Sequence, residues 1–79
     1  MLLTNHQIAQ RLRQQATALA RGGDNLYRVR AFRQAAMTVL ALPMELSALV
    51  AVKGRGALEH LPGVGKSLAE RIVGYLNAT

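Results

Sequence analysis

The chain has 79 residues and no cysteine, so it is long enough for one small domain and cannot hold a disulfide scaffold or a thiolate zinc site. Hydrophobic residues make up 51% of it, which argues against disorder, yet no apolar run approaches the ~18 residues of a membrane span. Ten Lys and Arg, eight of them Arg, face four acids and give a net charge of +6, which favours a polyanionic partner.

The first predicted helix covers residues 4–21. Thr4 and Gln7 fit a capping box, with Thr4 as the N-cap. Apolar residues then recur on one face at Ile8, Leu12, Ala16 and Leu19. The pair Gly22–Gly23 ends this helix, because glycine adopts the left-handed cap conformation at low cost.

The second predicted helix begins at Leu26, with Asp24 or Asn25 as its cap, and ends near Leu42 because Pro43 follows. Its apolar stripe consists of Leu26, Val29, Phe32, Ala36, Val39 and Leu40. Phe32 lies within this stripe, so we expect it in the core rather than as a platform for a base.

Three arginines interrupt the same helix. Arg28, Arg30 and Arg33 cannot all be buried. They form a basic group and are candidates for contact with the polyanionic partner that the net charge favours. A solvated face, with the aliphatic stems packed on the surface, is the alternative.

Three shorter elements complete the chain. We predict a third helix from Met44 to Val52, with Pro43 in its first turn and Gly54 closing it. A turn at 57–60 then leads to a last helix over 66–77. The inward positions of this last helix are Leu68, Ala69, Ile72, Val73 and Leu76. No segment alternates as a strand does, so the predicted fold class is all-α, a compact bundle of four to five short helices.

Residues 58–72 carry the functional signal. Gly63 and Gly65 let the main chain turn sharply and approach a ligand without a side chain intervening. The N–H groups of Gly65, Lys66 and Ser67 begin the last helix and lack intrahelical partners. Together with the positive end of the helix dipole they form a cradle for phosphate, and Lys66 adds a cation beside it.

This stretch resembles a helix-hairpin-helix motif, a grip on the DNA backbone found in many repair proteins. The resemblance rests on the apolar-Pro-Gly-apolar-Gly hairpin at 61–65, the small Ala69, and the apolar Ile72 and Leu76. It covers about residues 55–77. An ordinary Pro-Gly turn between packed helices is the alternative. The DNA-binding positions of the hairpin are Gly63, Val64, Gly65, Lys66 and Ser67. Arg28, Arg30 and Arg33 are then the second basic group, as candidates for contact with a second DNA strand or a 5′-phosphate.

A P-loop is excluded, although Gly65-Lys66-Ser67 ends like one. The first glycine of that motif would fall on His60, and no strand precedes the loop.

Residues 25–36 are similar to the second helix of the N-terminal 8 kDa domain of family X DNA polymerases, and the similarity extends over roughly residues 4–77. In some members this domain removes a 5′-deoxyribose phosphate through a Schiff base on a lysine. Arg71 stands at the position of that lysine, and a guanidinium does not supply the free amine that a Schiff base requires. The resemblance therefore makes Arg71 a DNA-binding residue, and we do not expect an enzyme.

The resemblance also implies a possible K⁺ or Na⁺ ion, held by the main-chain carbonyls of Glu59, Leu61 and Val64. No other cofactor is expected. The four carboxylates are scattered, which does not suit two-metal chemistry, and His6 and His60 are isolated.

The leading interpretation is a single helix-hairpin-helix DNA-binding domain over residues 1–79, non-enzymatic, with little sequence preference, acting in DNA repair or replication. A protein-interaction or dimerisation module is the alternative, with an apolar surface at Leu46, Leu49, Val50 and Val52. A 5′-deoxyribose phosphate lyase is the third, disfavoured by Arg71. A cytoplasmic location follows by default (on the nucleoid in a bacterium), and a protein partner or a larger assembly is compatible with this function.

Overall fold

The computed structural model of the protein describes residues 3–77. Within that range it contains five helices and no strand. They are α1 (Asn5–Arg21), α2 (Leu26–Ala41), α3 (Leu46–Lys53), a 3₁₀ helix (Arg55–His60) and α4 (Lys66–Asn77). The all-α bundle predicted from the sequence is therefore confirmed.

The predicted ends of the first two helices agree with the structure, because short-range hydrogen bonds fix them. The N–H of Gln7 donates to Thr4 Oγ1 (3.2 Å) and the N–H of Thr4 donates to Gln7 Oε1 (2.9 Å), which completes the capping box. Gly23 has a φ of 74° just after α1. Asn25, the second of the two predicted candidates, caps α2 by accepting the N–H of Tyr27 at 2.8 Å.

The core lies where the helices meet. Its largest fully buried side chains are Ile8, Leu12, Val29, Val39, Leu46, Leu58 and Ile72. Phe32 is 5% exposed, which confirms its place in the core. The predicted stripe on α2 is too wide, however: Leu26 is 66% exposed and Leu40 is 42% exposed. Leu26 is the first residue of α2, and Leu40 is turned about 100° from the buried Val39, so both lie at the edge of the buried face.

The prediction that the third helix begins at Met44 is wrong by two residues. Asn5 Oδ1 accepts the N–H of Leu46 (2.7 Å), and Asn5 Nδ2 donates to the carbonyl of Met44 (2.7 Å). The N–H of Asn5 in turn donates to Glu45 Oε1 (3.0 Å). These bonds hold the segment after Pro43 against the start of α1 and keep Glu45 extended, so α3 begins only at Leu46. Likewise, the predicted turn at 57–60 is part of a longer 3₁₀ helix.

No single helix among residues 3–77 is both long and apolar enough to cross a membrane, and α2 and α3 meet the length and hydropathy criteria only as a pair bent by 84°.

Candidate nucleic-acid interface

A tight turn at residues 61–65, called the hairpin below, joins the 3₁₀ helix to α4. The N–H of Val64 donates to the carbonyl of Leu61 at 3.0 Å and closes the turn. Pro62 and Gly63 are its central residues, and Gly63 has a φ of 76°. A positive φ at the third residue is typical of a type II turn and favours glycine there.

The hairpin is held against α2. Thr38 Oγ1 donates to the carbonyl of Pro62 at 2.9 Å. A Cβ atom on Gly63 would lie 3.2 Å from Cγ of Gln34, so the glycine also permits a close approach. Sequence reasoning missed Gln34 and Thr38. The sequence feature that could have identified them is the spacing of two polar residues four positions apart, beside the apolar stripe of the same helix.

The start of α4 presents unpaired donors. The N–H of Ala69 donates to the carbonyl of Gly65 at 2.9 Å, which makes Gly65 the N-cap of α4. Within residues 3–77, no acceptor takes the N–H groups of Gly65, Lys66 or Ser67, and the first turn has no acid. These three residues are exposed, and a Cβ on Gly65 would meet nothing within 4 Å. The three donors of the predicted cradle are therefore unpaired and accessible, and phosphate binding there stays a prediction.

The two hairpin glycines have different roles, contrary to the common role that the sequence suggested. Gly63 makes the turn, because its φ is positive and Gln34 is close. Gly65 has neither of these constraints, because its φ is outside the left-handed region and a Cβ there would have free space. Val64 is 4% exposed, so its side chain anchors the hairpin in the core and only its main chain is available to a ligand.

A second group of candidate residues lies along α4 and the start of α2. The Cζ atom of Arg71 lies 5.6 Å from the ring centroid of Phe32, within the range of a cation–π contact. Ser67 and Arg71 line the same cleft on α4. Arg28 is one helical turn before Phe32 and so shares its face of α2, with Asp24 Oδ2 3.4 Å from its Nη1. The structure therefore places Ser67 and Arg71 in one cleft, together with Glu70, and links Arg28 to them only through the helix face that it shares with Phe32.

Arg33 does not join this group. It lines a cleft between α1 and α2 together with Arg13, Thr17 and Met37. Gln34, which faces the hairpin, is turned about 100° from Arg33 around the helix axis. Arg30 is exposed. The three arginines that looked like one group in the sequence are thus divided between two sides of α2.

The carbonyls proposed to hold a monovalent cation have acceptor capacity to spare. In a 3₁₀ helix the carbonyl of Glu59 would bond the N–H of residue 62, but that residue is Pro62 and has none. The carbonyl of Leu61 accepts the N–H of Val64 and keeps one lone pair. The carbonyls of Glu59 and Leu61 therefore keep the oxygen lone pairs that a K⁺ or Na⁺ ion needs, and binding of the ion stays a prediction.

The apolar run proposed as a dimerisation surface is mostly covered. Leu46 is fully buried, and Leu49 and Val50 are partly buried against the core. Val52, at 81% exposure, is the member of the run that is open to a partner. Within residues 3–77, no three His, Asp or Glu side chains lie close enough together to hold a metal ion.

The sequence model of a family described as the helix-hairpin-helix domain matches residues 3–79 of the chain. Helix-hairpin-helix domains commonly bind DNA. Comparison with curated proteins and with solved structures gave no match.

Proposed function

Because the chain belongs to the helix-hairpin-helix domain family, we propose that it is a non-enzymatic DNA-binding domain that grips the phosphate backbone with little sequence preference, in DNA repair or replication. One observation carries the proposal. Three exposed N–H donors, on Gly65, Lys66 and Ser67, have no acceptor within residues 3–77 and stand at the positive end of α4.

The chemistry of this site suits phosphate rather than bases. Helix N-termini bind anions through main-chain N–H groups and the helix dipole. Gly63 and Gly65 have no side chain to reach a base edge, and the side chain of Val64 is buried. Contacts of this kind fix the position of a protein on DNA but carry no sequence information. Lys66 adds a positive charge beside the donors.

Ser67 and Arg71 extend the interface along α4, and Arg28 lies on the face of α2 that carries Phe32. Their arrangement supports the finer proposal that the domain is related to the N-terminal domain of family X DNA polymerases. With an arginine at position 71, this group would hold a terminal or continuing phosphate by forked hydrogen bonds, without forming a covalent intermediate. Arg30, exposed on α2, would add charge without a fixed contact.

A monovalent cation fits the same end of the molecule. The main-chain carbonyls of Glu59, Leu61 and Val64 would hold K⁺ or Na⁺, and the ion would supply positive charge to a nearby phosphate oxygen. The N–H donors at the start of α4 bind phosphate whether or not the ion is present.

The test is a chemical-shift titration of the protein with intact and gapped duplexes at low salt. We expect the amide resonances of Gly65, Lys66 and Ser67 to move first and furthest. Affinity should fall with salt, with a log–log slope near −0.9 for each phosphate contacted, and the dissociation constant at physiological salt should be roughly 10⁻⁴–10⁻⁶ M. If those three amides stay still while DNA binds elsewhere, the proposal is wrong.

A further inference from the structure

A second basic surface lies on the side of the molecule formed by α1 and α2. Arg13 and Thr17 of α1 line a shallow cleft of about 340 Å³ with Arg33 and Met37 of α2. The same two α1 residues line an adjacent cleft that continues along α1 to Arg21. Arg13, Thr17, Arg21 and Arg33 are called the α1–α2 arginine face below.

Among residues 3–77, no acid lines either cleft of this face. The four acids of the chain all lie elsewhere. Asp24 pairs with an arginine of α2, and Glu45 accepts a hydrogen bond at the start of α1. Glu59 and Glu70 line a cleft beside α4. No Asp or Glu side chain of the described residues therefore neutralises the positive charge of the α1–α2 arginine face.

We propose that the α1–α2 arginine face binds the backbone of a second DNA segment, so that the domain bridges two segments. This inference rests on the proposed function of the hairpin. Arg13 and Arg21 are eight residues apart on α1, about 12 Å along the helix axis. That distance allows contact with more than one phosphate of a strand, since the rise per phosphate is about 3.4 Å.

The position of the face points to a separate segment rather than to the DNA at the hairpin. Arg33 and Gln34 lie about 100° apart on α2, and Gln34 is the one that faces the hairpin. A single duplex in contact with both surfaces would have to bend around a molecule 38 × 24 × 19 Å in size. Bending a 20–30 bp site by 40–90° costs roughly 1–6 kcal/mol, a cost that two separate segments avoid.

Nucleic acid also suits the face better than an acidic helix. A helix docks in a groove through apolar anchors at i, i+3, i+4 and i+7. These clefts are shallow, and Met37 is the one large apolar side chain that lines them. The hydroxyl of Thr17 and the guanidinium groups are instead the groups that contact phosphate.

A capture experiment tests bridging. One duplex is immobilised, the protein is added at low salt, and retention of a second, labelled duplex is measured. The variant Arg13→Gln/Arg21→Gln should reduce capture at least tenfold. The control Arg11→Gln/Lys53→Gln removes the same charge from exposed positions outside both clefts and should stay within about threefold of the wild type. Equal losses in the two variants would overturn the proposal.

An NMR titration with a duplex of about one helical turn, roughly 10 bp, separates this inference from the function on which it rests. We expect the amides of Gly65 and Lys66 to shift with the first equivalent and that of Thr17 to shift with the second. Shifts at the hairpin alone would overturn bridging and leave the proposed function standing. Shifts at Thr17 alone would overturn both. If the amide of Thr17 shifts with polyglutamate and not with DNA, bridging is overturned and the partner of this face is an acidic protein.

Discussion

The start of α4 allows one substitution to change stability and DNA binding in opposite directions. Gly65 is the N-cap, its φ is outside the left-handed region, and a Cβ there meets nothing within 4 Å. The variant Gly65→Asp therefore fits without strain, and its carboxylate can accept the N–H of Ser67 or Leu68. Asp caps better than Gly by a few tenths of a kcal/mol, and its interaction with the helix dipole contributes about 0.3–1 kcal/mol. We expect a gain of about 0.5–1 kcal/mol in unfolding free energy, or about 2–8 °C in Tm.

The same carboxylate occupies a donor that the phosphate needs. Loss of one hydrogen bond to a charged group costs about 1.5–3 kcal/mol. At 1.4 kcal/mol for each factor of ten, this corresponds to a rise in Kd of about 10- to 140-fold. Thermal unfolding and fluorescence anisotropy with a labelled duplex at fixed low salt measure the two effects on the same sample.

Ala51→Asp is the charge-matched control. Ala51 is exposed on α3, lines none of the clefts that contain Ser67, Arg71 or Arg33, and its replacement changes the net charge by the same amount. It lies on another helix from the N–H donors of α4, so we expect Kd to rise by no more than about threefold. If both variants weaken binding equally, net charge governs the interaction and the argument from N–H geometry is refuted.

Four further outcomes follow from the same contacts. Gly63→Ala puts a side chain on a residue with a positive φ and brings its Cβ against Gln34, so urea unfolding should show a loss of about 1–3 kcal/mol in unfolding free energy. An unchanged midpoint would contradict the turn geometry. Asn5→Ala leaves the buried N–H of Leu46 without its acceptor and the carbonyl of Met44 without its donor, while the carbonyl of Val39 keeps the N–H of Leu42. It should cost at least about 2 kcal/mol by the same assay, whereas a neutral effect would mean that water replaces the side chain. Lys66→Ala should weaken DNA binding modestly and lower the log–log salt slope by about 0.9, and an unchanged slope would remove Lys66 from the interface. Borohydride should trap no adduct between the wild-type protein and an abasic duplex; an adduct that disappears in Lys66→Ala would establish a lyase.

The parts of the fold that the sequence predicted are those determined by near neighbours. The capping box of Thr4 and Gln7, the cap by Asn25 and the turn at Gly63 all rest on bonds or dihedral angles within a few residues. The start of α3 was missed because it depends on Asn5, about 40 residues away, whose amide bonds the main chain on both sides of Glu45. No periodicity or spacing in the sequence reports a bond over that distance.

In the candidate site, too, the sequence predicted the features that depend on near neighbours and missed those that depend on distant contacts. The N–H donors at the start of α4 follow from helix geometry, so the sequence located them. Helix geometry already places Arg28 and Arg33 about 140° apart around α2. That Arg33 faces α1 depends on where α1 packs, which only the tertiary structure reveals. The sequence gave no reason to select Arg13. It becomes a candidate because it lines one cleft with Arg33 of the neighbouring helix.

Gly65 is the residue whose presence the fold explains least. The turn does not need it, because its φ is open to any residue, and packing does not need it, because a Cβ would have free space. At an N-cap, Ser, Asp and Asn stabilise a helix better than Gly, since their side chains satisfy the first N–H groups. A residue that leaves those donors unsatisfied makes the isolated domain less stable. The cost relative to Asp is a few tenths of a kcal/mol, since glycine is itself a common N-cap residue, and small departures of this kind are expected at functional sites. An anionic ligand that supplies the missing acceptor accounts for Gly65 where the folded chain alone does not.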